Sequence, residues 1–248
     1  LMCASVLAKG GSVIENAARE PEVTDLAAFL DRMGAQVVGA GTSTIEIEGV
    51  SELVAADTEI MADRLEAGTL LMACGIAGGE IELVGARLEH LEIVAMKLCE
   101  MGMRVSPTPD GIWAQSPGRL RAVDVATLPH PGFATDFMPT AVALMAVADG
   151  SAIVTENIYD GRFDFVDQLA RMGADVRTEG RHAVVRGVDR LSGAPVTASD
   201  VRAGAALVLA GLCADGDTTI YHCEHVDRGY ADLPATLRAL GADVERLD

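Results

Sequence analysis

Apolar residues recur along the chain at two periods, and the alternation between them divides it into units. At helical spacing stand Leu26, Phe29, Leu30 and Met33; Leu91, Val94, Leu98 and Met101; Phe165, Leu169 and Met172; and Leu233, Leu237 and Leu240. Each set draws a stripe down one face of a helix. Every stripe ends on a glycine that leads into a strand-like stretch: Met33-Gly34-Ala35-Gln36-Val37, Met101-Gly102-Met103-Arg104-Val105, Met172-Gly173-Ala174-Asp175-Val176 and Leu240-Gly241-Ala242-Asp243-Val244. Glycine there supplies the left-handed backbone that closes a helix without a Cβ clash. Short alternating or β-branched runs, such as 44–47 and 183–185, read as strands. Residues 141–147 and 205–212 are apolar on every face, which suits helices enclosed by a ring of sheets.

The period is regular. Glycines 34, 102, 173 and 241 lie 68, 71 and 68 residues apart. A second series, Gly10, Gly79, Gly150 and Gly216, closes an earlier helix before another strand at spacings of 69, 71 and 66. Two markers in phase define an internal repeat of helix, strand, helix, strand, strand. Four such units fill the chain, and the fold class is α/β.

Composition narrows the picture. Half of the 248 residues are hydrophobic, enough for a substantial core. The longest apolar run, 203–214, contains glycine and is well short of the roughly 20 residues a membrane span needs, so no membrane partner is expected. The opening Leu1-Met2-Cys3-Ala4 has no basic flank of a signal peptide and reads as a helix entered in its middle, so the chain is read as a piece of a longer protein. With 19 Lys+Arg against 37 Asp+Glu the net charge is -18, a field that repels nucleic acid. An anionic ligand therefore has to be gripped locally, which makes individual arginines informative. Five widely spaced cysteines, Cys3, Cys74, Cys99, Cys213 and Cys223, read as reduced core residues of a cytoplasmic protein. No His, Cys and carboxylate spacing converges on a metal, and Gly39-Ala40-Gly41 introduces no dinucleotide fingerprint, so neither metal nor cofactor is expected.

Six strings spread over the whole chain carry a resemblance. They are Ile14-Glu15-Asn16-Ala17-Ala18-Arg19-Glu20-Pro21-Glu22, Ala62-Asp63-Arg64-Leu65-Glu66-Ala67-Gly68-Thr69, Phe133-Ala134-Thr135-Asp136, Arg190-Leu191-Ser192-Gly193-Ala194-Pro195, Asp200-Val201-Arg202-Ala203 and His225-Val226-Asp227-Arg228-Gly229-Tyr230. In order, they resemble the UDP-N-acetylglucosamine 1-carboxyvinyltransferase (MurA) branch of the EPSP synthase-like enolpyruvyl transferase family. The resemblance implies inside-out α/β barrels built from six units of about 70 residues, three per domain, with four of the six present. Residues 1–61 would be the last unit of an incomplete first domain and 62–248 a nearly complete second domain. It further implies transfer of the enolpyruvyl group of phosphoenolpyruvate to the 3-hydroxyl of UDP-N-acetylglucosamine with release of phosphate, a cytoplasmic step of peptidoglycan synthesis. The partners would be those two small molecules and the missing N-terminal part of the same enzyme, which would bring the general-acid cysteine; the piece alone would be inactive.

Such an addition and elimination needs a base for the hydroxyl, an acid for the methylene carbon and cations for phosphate and carboxylate. By the resemblance Asp136 is the base, Arg202 and Arg228 hold phosphoenolpyruvate, and Ile158 and Arg162 line the nucleotide-sugar site. Read without it, each has a plainer role. Asp63, Asp136 and Asp200 all stand where a helix starts, the ordinary place for a capping aspartate. Arg202 and Arg228 each have an aspartate nearby to pair with, and Ile158 reads as packing. Arg202, however, falls in the first turn of a helix, where positive charge disfavours the helix and an anion is favoured.

Two positions depart from the family pattern, which usually has Gln two residues after the motif Asp and Asn before the Arg of the nucleotide-sugar segment. Here those places hold Met138 and Gly161. They leave open a paralogue acting on another acceptor, a nucleotide or shikimate 3-phosphate. A non-catalytic family fragment is a further alternative, and an RNA 3'-terminal phosphate cyclase relative is disfavoured by the charge.

Overall fold

The computed structural model describes residues 1–247 and divides the chain into two compact units. One comprises Leu1–Ala62 with Pro129–Pro131, the other Asp63–Leu128 and the chain from Gly132 on.

In the first unit, α1 (Met2–Ser5), β1 (Gly11–Glu15), α2 (Pro21–Arg32), β2 (Gln36–Val38) and β3 (Thr44–Glu48) follow in order. The strands form an antiparallel sheet in the order β1-β3-β2. Period-two alternation turns Ile45 and Ile47 inward, where they join Met2, Val6, Ala27, Leu30 and Ala35 in a small core.

The second unit repeats this order. Its first repeat is α3 (Arg64–Ala77), β4 (Gly79–Val84), α4 (Glu92–Met101), β5 (Arg104–Pro107) and β6 (Gly111–Ser116). The next is β7 (Val125–Ala126), α5 (Met138–Ala146), β8 (Ser151–Thr155), α6 (Val166–Arg171), β9 (Asp175–Glu179) and β10 (His182–Arg186). The last holds β11 (Leu191–Ser192), β12 (Pro195–Thr197), α7 (Val201–Leu212), β13 (Ala214–Asp215), β14 (Thr219–Tyr221), α8 (Glu224–Asp227) and α9 (Leu233–Ala239). Two sheets run β4-β6-β5 and β7-β8-β10-β9, and parallel pairs join β11 to β13 and β12 to β14.

The centre of this unit is made by α3, α5 and α7, which pack on one another while α3 meets β4 and β6, α5 meets β8 and β10, and α7 meets β14. Every residue of α5 is buried, as its all-round apolar sequence requires. Close approach depends on glycine: a Cβ on Gly68 of α3 would collide with the Phe137 ring, and one on Gly204 of α7 would lie 2.5 Å from Val226 Cγ2.

All four helix-closing glycines, 34, 102, 173 and 241, are left-handed. Two expectations are corrected. After Gly241 the described residues form no strand. In the other units the corresponding strands β2, β5 and β9 are each held by the ladder to a hairpin partner, and no such partner pairs with 242–247. The cysteines are not all core residues: Cys74 is buried and Cys213 and Cys223 are partly so, but Cys3 and Cys99 are exposed, because they fall on the solvent sides of α1 and α4. All five are free thiols. Burial pushes the Cys213 thiol up to about 11, and it raises Cys74 and Cys223 as well.

Candidate active site

Three aspartates stand where the three central helices begin, but they are not used alike. Asp63 Oδ1 accepts from the backbone N–H of Leu65 at 2.7 Å and of Glu66 at 3.2 Å, capping α3. Asp200 Oδ1 accepts from Arg202 at 2.8 Å and Ala203 at 3.0 Å, capping α7. Asp136 caps nothing. It lies within a 3-10 turn, Thr135–Phe137, that leads directly into α5, and neither the turn nor the helix has a side-chain cap. The turn closes its own first hydrogen bonds through the backbone, so the carboxylate is released to other partners.

Those partners are two of the expected arginines. Arg202 Nε donates to Asp136 Oδ1 at 2.9 Å, and Arg162 Nη2 lies 3.7 Å from the same oxygen. The arginine side chains are 14 % exposed and the aspartate 37 %, so the carboxylate forms the open end of the cluster. Among the described residues Asp136 Oδ2 has no hydrogen bond, leaving one oxygen able to accept a proton from a bound hydroxyl. Burial opposes the charge on Arg202, but the hydrogen bond and charge of Asp136, with Tyr230, outweigh it and raise its pKa above the ordinary value.

Behind Arg202 stands Tyr230, 3.5 Å from its Nη1. Thr69 in α3 donates to the Leu65 carbonyl at 2.8 Å, so the 2.8 Å contact between Thr69 and Tyr230 has the tyrosine as donor. The tyrosine oxygen is thus left to accept from Arg202. Gly229 lets this loop approach, since a Cβ there would lie 2.5 Å from Val201 Cγ2.

Arg228 is exposed and is not drawn into the cluster. The aspartate beside it is taken instead by Arg246, whose Nη1 and Nη2 meet Asp227 Oδ1 and Oδ2 at 2.9 and 2.8 Å. No hydrogen bond or ion pair joins the Arg228 side chain to another described residue. In a chain of charge -18, a guanidinium without an acidic partner is available to an anionic ligand.

The segment 157–163 is anchored by a residue that sequence reasoning missed. Glu156, directly after β8, is buried, and accepts from Thr127 Oγ1, Ile158 N, Tyr159 N and Thr135 Oγ1 at 2.7, 2.7, 3.0 and 2.7 Å. Burial would raise its pKa, but these donors outweigh that and hold it below the ordinary 4.5. Ile158 itself is 47 % exposed, so it is not core packing. Arg162 Nη1 donates to Thr135 Oγ1 at 2.8 Å, and its guanidinium lies 5.3 Å over the Tyr159 ring. The missed signal was alternation: Ala152, Val154 and Glu156 share the inward face, and so do Val125 and Thr127.

Met138 is wholly buried at the start of α5, and Gly161 has a φ of 77°, a left-handed conformation that asparagine tolerates better than most residues. Among the described residues no group of three or more His, Cys, Asp or Glu is placed to hold a metal. An open groove of about 750 Å³ runs along β9 and β10, lined by Arg177, His182, Val184 and Arg186 among others, and contributes nothing to the cluster.

With this geometry in view, residues 1–237 match the EPSP synthase (3-phosphoshikimate 1-carboxyvinyltransferase) family, and the chain belongs to it. Among curated relatives, the UDP-N-acetylglucosamine 1-carboxyvinyltransferase of Trichlorobacter lovleyi is 51% identical over 247 residues, all of this chain and 59% of that protein. The enzyme of the same name from Nocardia farcinica is 48% identical over 247 residues, again all of this chain and 58% of that protein. The chain therefore spans somewhat more than half the length of these relatives. Among solved structures, the enolpyruvyl transferase NikO from Streptomyces tendae superposes with a TM-score of 0.89 at 28% identity, over 98% of this chain and 58% of its own. EPSP synthase from Acinetobacter baumannii, at 0.74 and 19% over 98% of this chain and 59% of its own, shares the fold.

Proposed function

We propose that this chain supplies the larger part of an enzyme that moves the enolpyruvyl group of phosphoenolpyruvate to the 3-hydroxyl of UDP-N-acetylglucosamine and releases phosphate, in the cytoplasmic phase of peptidoglycan synthesis. On this reading residues 62–248 are its second domain and 1–61 the last unit of its first. The observation that carries the reading is the use made of Asp136, which is withheld from helix capping and held by Arg202 and Arg162 with one oxygen free. That oxygen takes the proton of the acceptor hydroxyl as the hydroxyl oxygen attacks the enolpyruvyl carbon while the C=C pair takes a proton at the methylene carbon from a general acid, and loss of a methyl proton then re-forms the C=C bond as phosphate leaves. Arg202 and the unpaired Arg228 supply charge-assisted bonds to phosphate or carboxylate. Relatives near 50% identity that bear this activity's name support the acceptor.

The test joins the chain to the remaining part of the Trichlorobacter lovleyi relative and follows phosphate release. UDP-N-acetylglucosamine should support turnover, and shikimate 3-phosphate or a free nucleotide should not. Arg202→Ala and Arg228→Ala should each cost on the order of 2 to 4 kcal/mol of transition-state stabilisation, roughly 30- to 1000-fold in kcat/KM. Lysine should not restore either, because an ammonium lacks the planar bidentate fork. Asp136→Asn should keep the fold and abolish turnover; normal turnover in that variant would remove Asp136 as the base.

A further inference from the structure

Glu156 is the only buried acidic residue among those described, and no cation neutralises it. Four donors, two of them backbone N–H groups, offset the cost of burying this carboxylate. What it does is fix directions. An ionised carboxylate only accepts hydrogen bonds, so the one O–H of Thr135 must point at Glu156 Oε2, and the Thr135 lone pairs must face away. Arg162 Nη1 donates into them, which sets Nη2 beside Asp136. The other carboxylate oxygen holds the N–H of Tyr159, whose ring lies beneath the same guanidinium.

We infer that Glu156 is a positioning residue for the acceptor: through Thr135 and the 158–159 backbone it orients Arg162 against Asp136, and so sets where the sugar hydroxyl meets its base. This rests on the reading of Asp136 and Arg162 above. Glu156→Gln tests it with almost no change of shape. The amide oxygen can keep Thr127, Ile158 and Tyr159 as donors, but its NH2 then faces Thr135 and reverses that one hydrogen bond. Thr135→Val cuts the same connection from the other side and leaves Glu156 its three remaining donors. Thr135→Ser keeps it.

In the completed enzyme, Glu156→Gln and Thr135→Val should each lower kcat/KM on the order of 10- to 100-fold, the scale of a misplaced catalytic group. KM for UDP-N-acetylglucosamine should rise while KM for phosphoenolpyruvate stays unchanged. The double variant should be no worse than the poorer single one, because both cut one relay, and Thr135→Ser should behave as wild type. Additive losses, equal effects on both KM values, or a wild-type Glu156→Gln enzyme would each overturn the inference. A second readout does not depend on the substrate assignment. In the 248-residue chain itself, the Arg162 side-chain NMR signals should show restricted guanidinium rotation that both variants release; unchanged signals would overturn the positioning role even if the enzyme acts as proposed. Wild-type enzyme inactive on UDP-N-acetylglucosamine, with the NMR result as expected, would instead sink the acceptor assignment and leave the positioning intact.

Discussion

At the scale of single residues, Asp63, Asp136 and Asp200 look equivalent in sequence, since each precedes an apolar helix. The difference lies in backbone geometry that composition does not specify: the residues at 63 and 200 are extended, which lets the side chain fold back on the first turn, whereas Asp136 is already inside a 3-10 turn. Capping was therefore legible at two positions and misread at the third. Glu156 was legible in principle from strand alternation, but an acid at the end of a strand reads as solvent-exposed until its four donors are known. Its depressed pKa has a thermodynamic consequence. A carboxylate whose folded pKa lies below its unfolded one stabilises the fold above the unfolded value, and that contribution disappears as the pH falls through the folded value. Glu156→Gln should remove it. Plotted between pH 6 and pH 3, the difference in unfolding free energy between wild type and variant should shrink as the pH drops below 4.5. A constant difference would mean that Glu156 has the same pKa folded and unfolded, and one that grows as the pH falls would mean that Glu156 is not ionised in the native protein.

At the scale of elements, the helices were readable because their stripes and stop glycines are local signals, and Gly34, Gly102, Gly173 and Gly241 all adopt the left-handed conformation such stops require. The strand expected after Gly241 failed because a strand is completed by its neighbour. Contacts between helices were equally out of reach. Nothing local marks Gly68 as the place where α3 meets the ring of Phe137, which is buried next to Asp136. Alanine in a helix interior is normally worth up to about 1 kcal/mol over glycine. At Gly68 the added methyl meets a ring with no room to retreat, and overpacking costs about 1 to 3 kcal/mol. Gly68→Ala should therefore lower stability in urea, and Phe137→Leu in the same chain should recover part of the loss. A more stable Gly68→Ala protein would show that α3 and the 3-10 turn can separate freely.

At the scale of the whole molecule, the 70-residue period in the sequence revealed four repeats, and the structure distributes them between two compact units of very different size. The smaller is held by Met2, Val6, Ala27, Leu30, Ala35, Ile45 and Ile47, a core that supplies little free energy for some 60 residues. The larger encloses α3, α5 and α7 almost completely. Unequal cores imply unequal stabilities and more than one unfolding transition. The single tryptophan, Trp113, lies in β6 of the larger unit, so its fluorescence reports on that unit alone, while far-UV circular dichroism reports on both. In a urea titration the dichroism should begin to fall at lower denaturant than the fluorescence. Ile47→Ala should move only the early phase and Leu144→Ala only the late one, each by about 2 to 5 kcal/mol, because both side chains are buried and leave a cavity behind. Coincident curves, with either substitution shifting both probes together, would show instead that the two units unfold as one cooperative body and that the smaller core draws its stability from the larger.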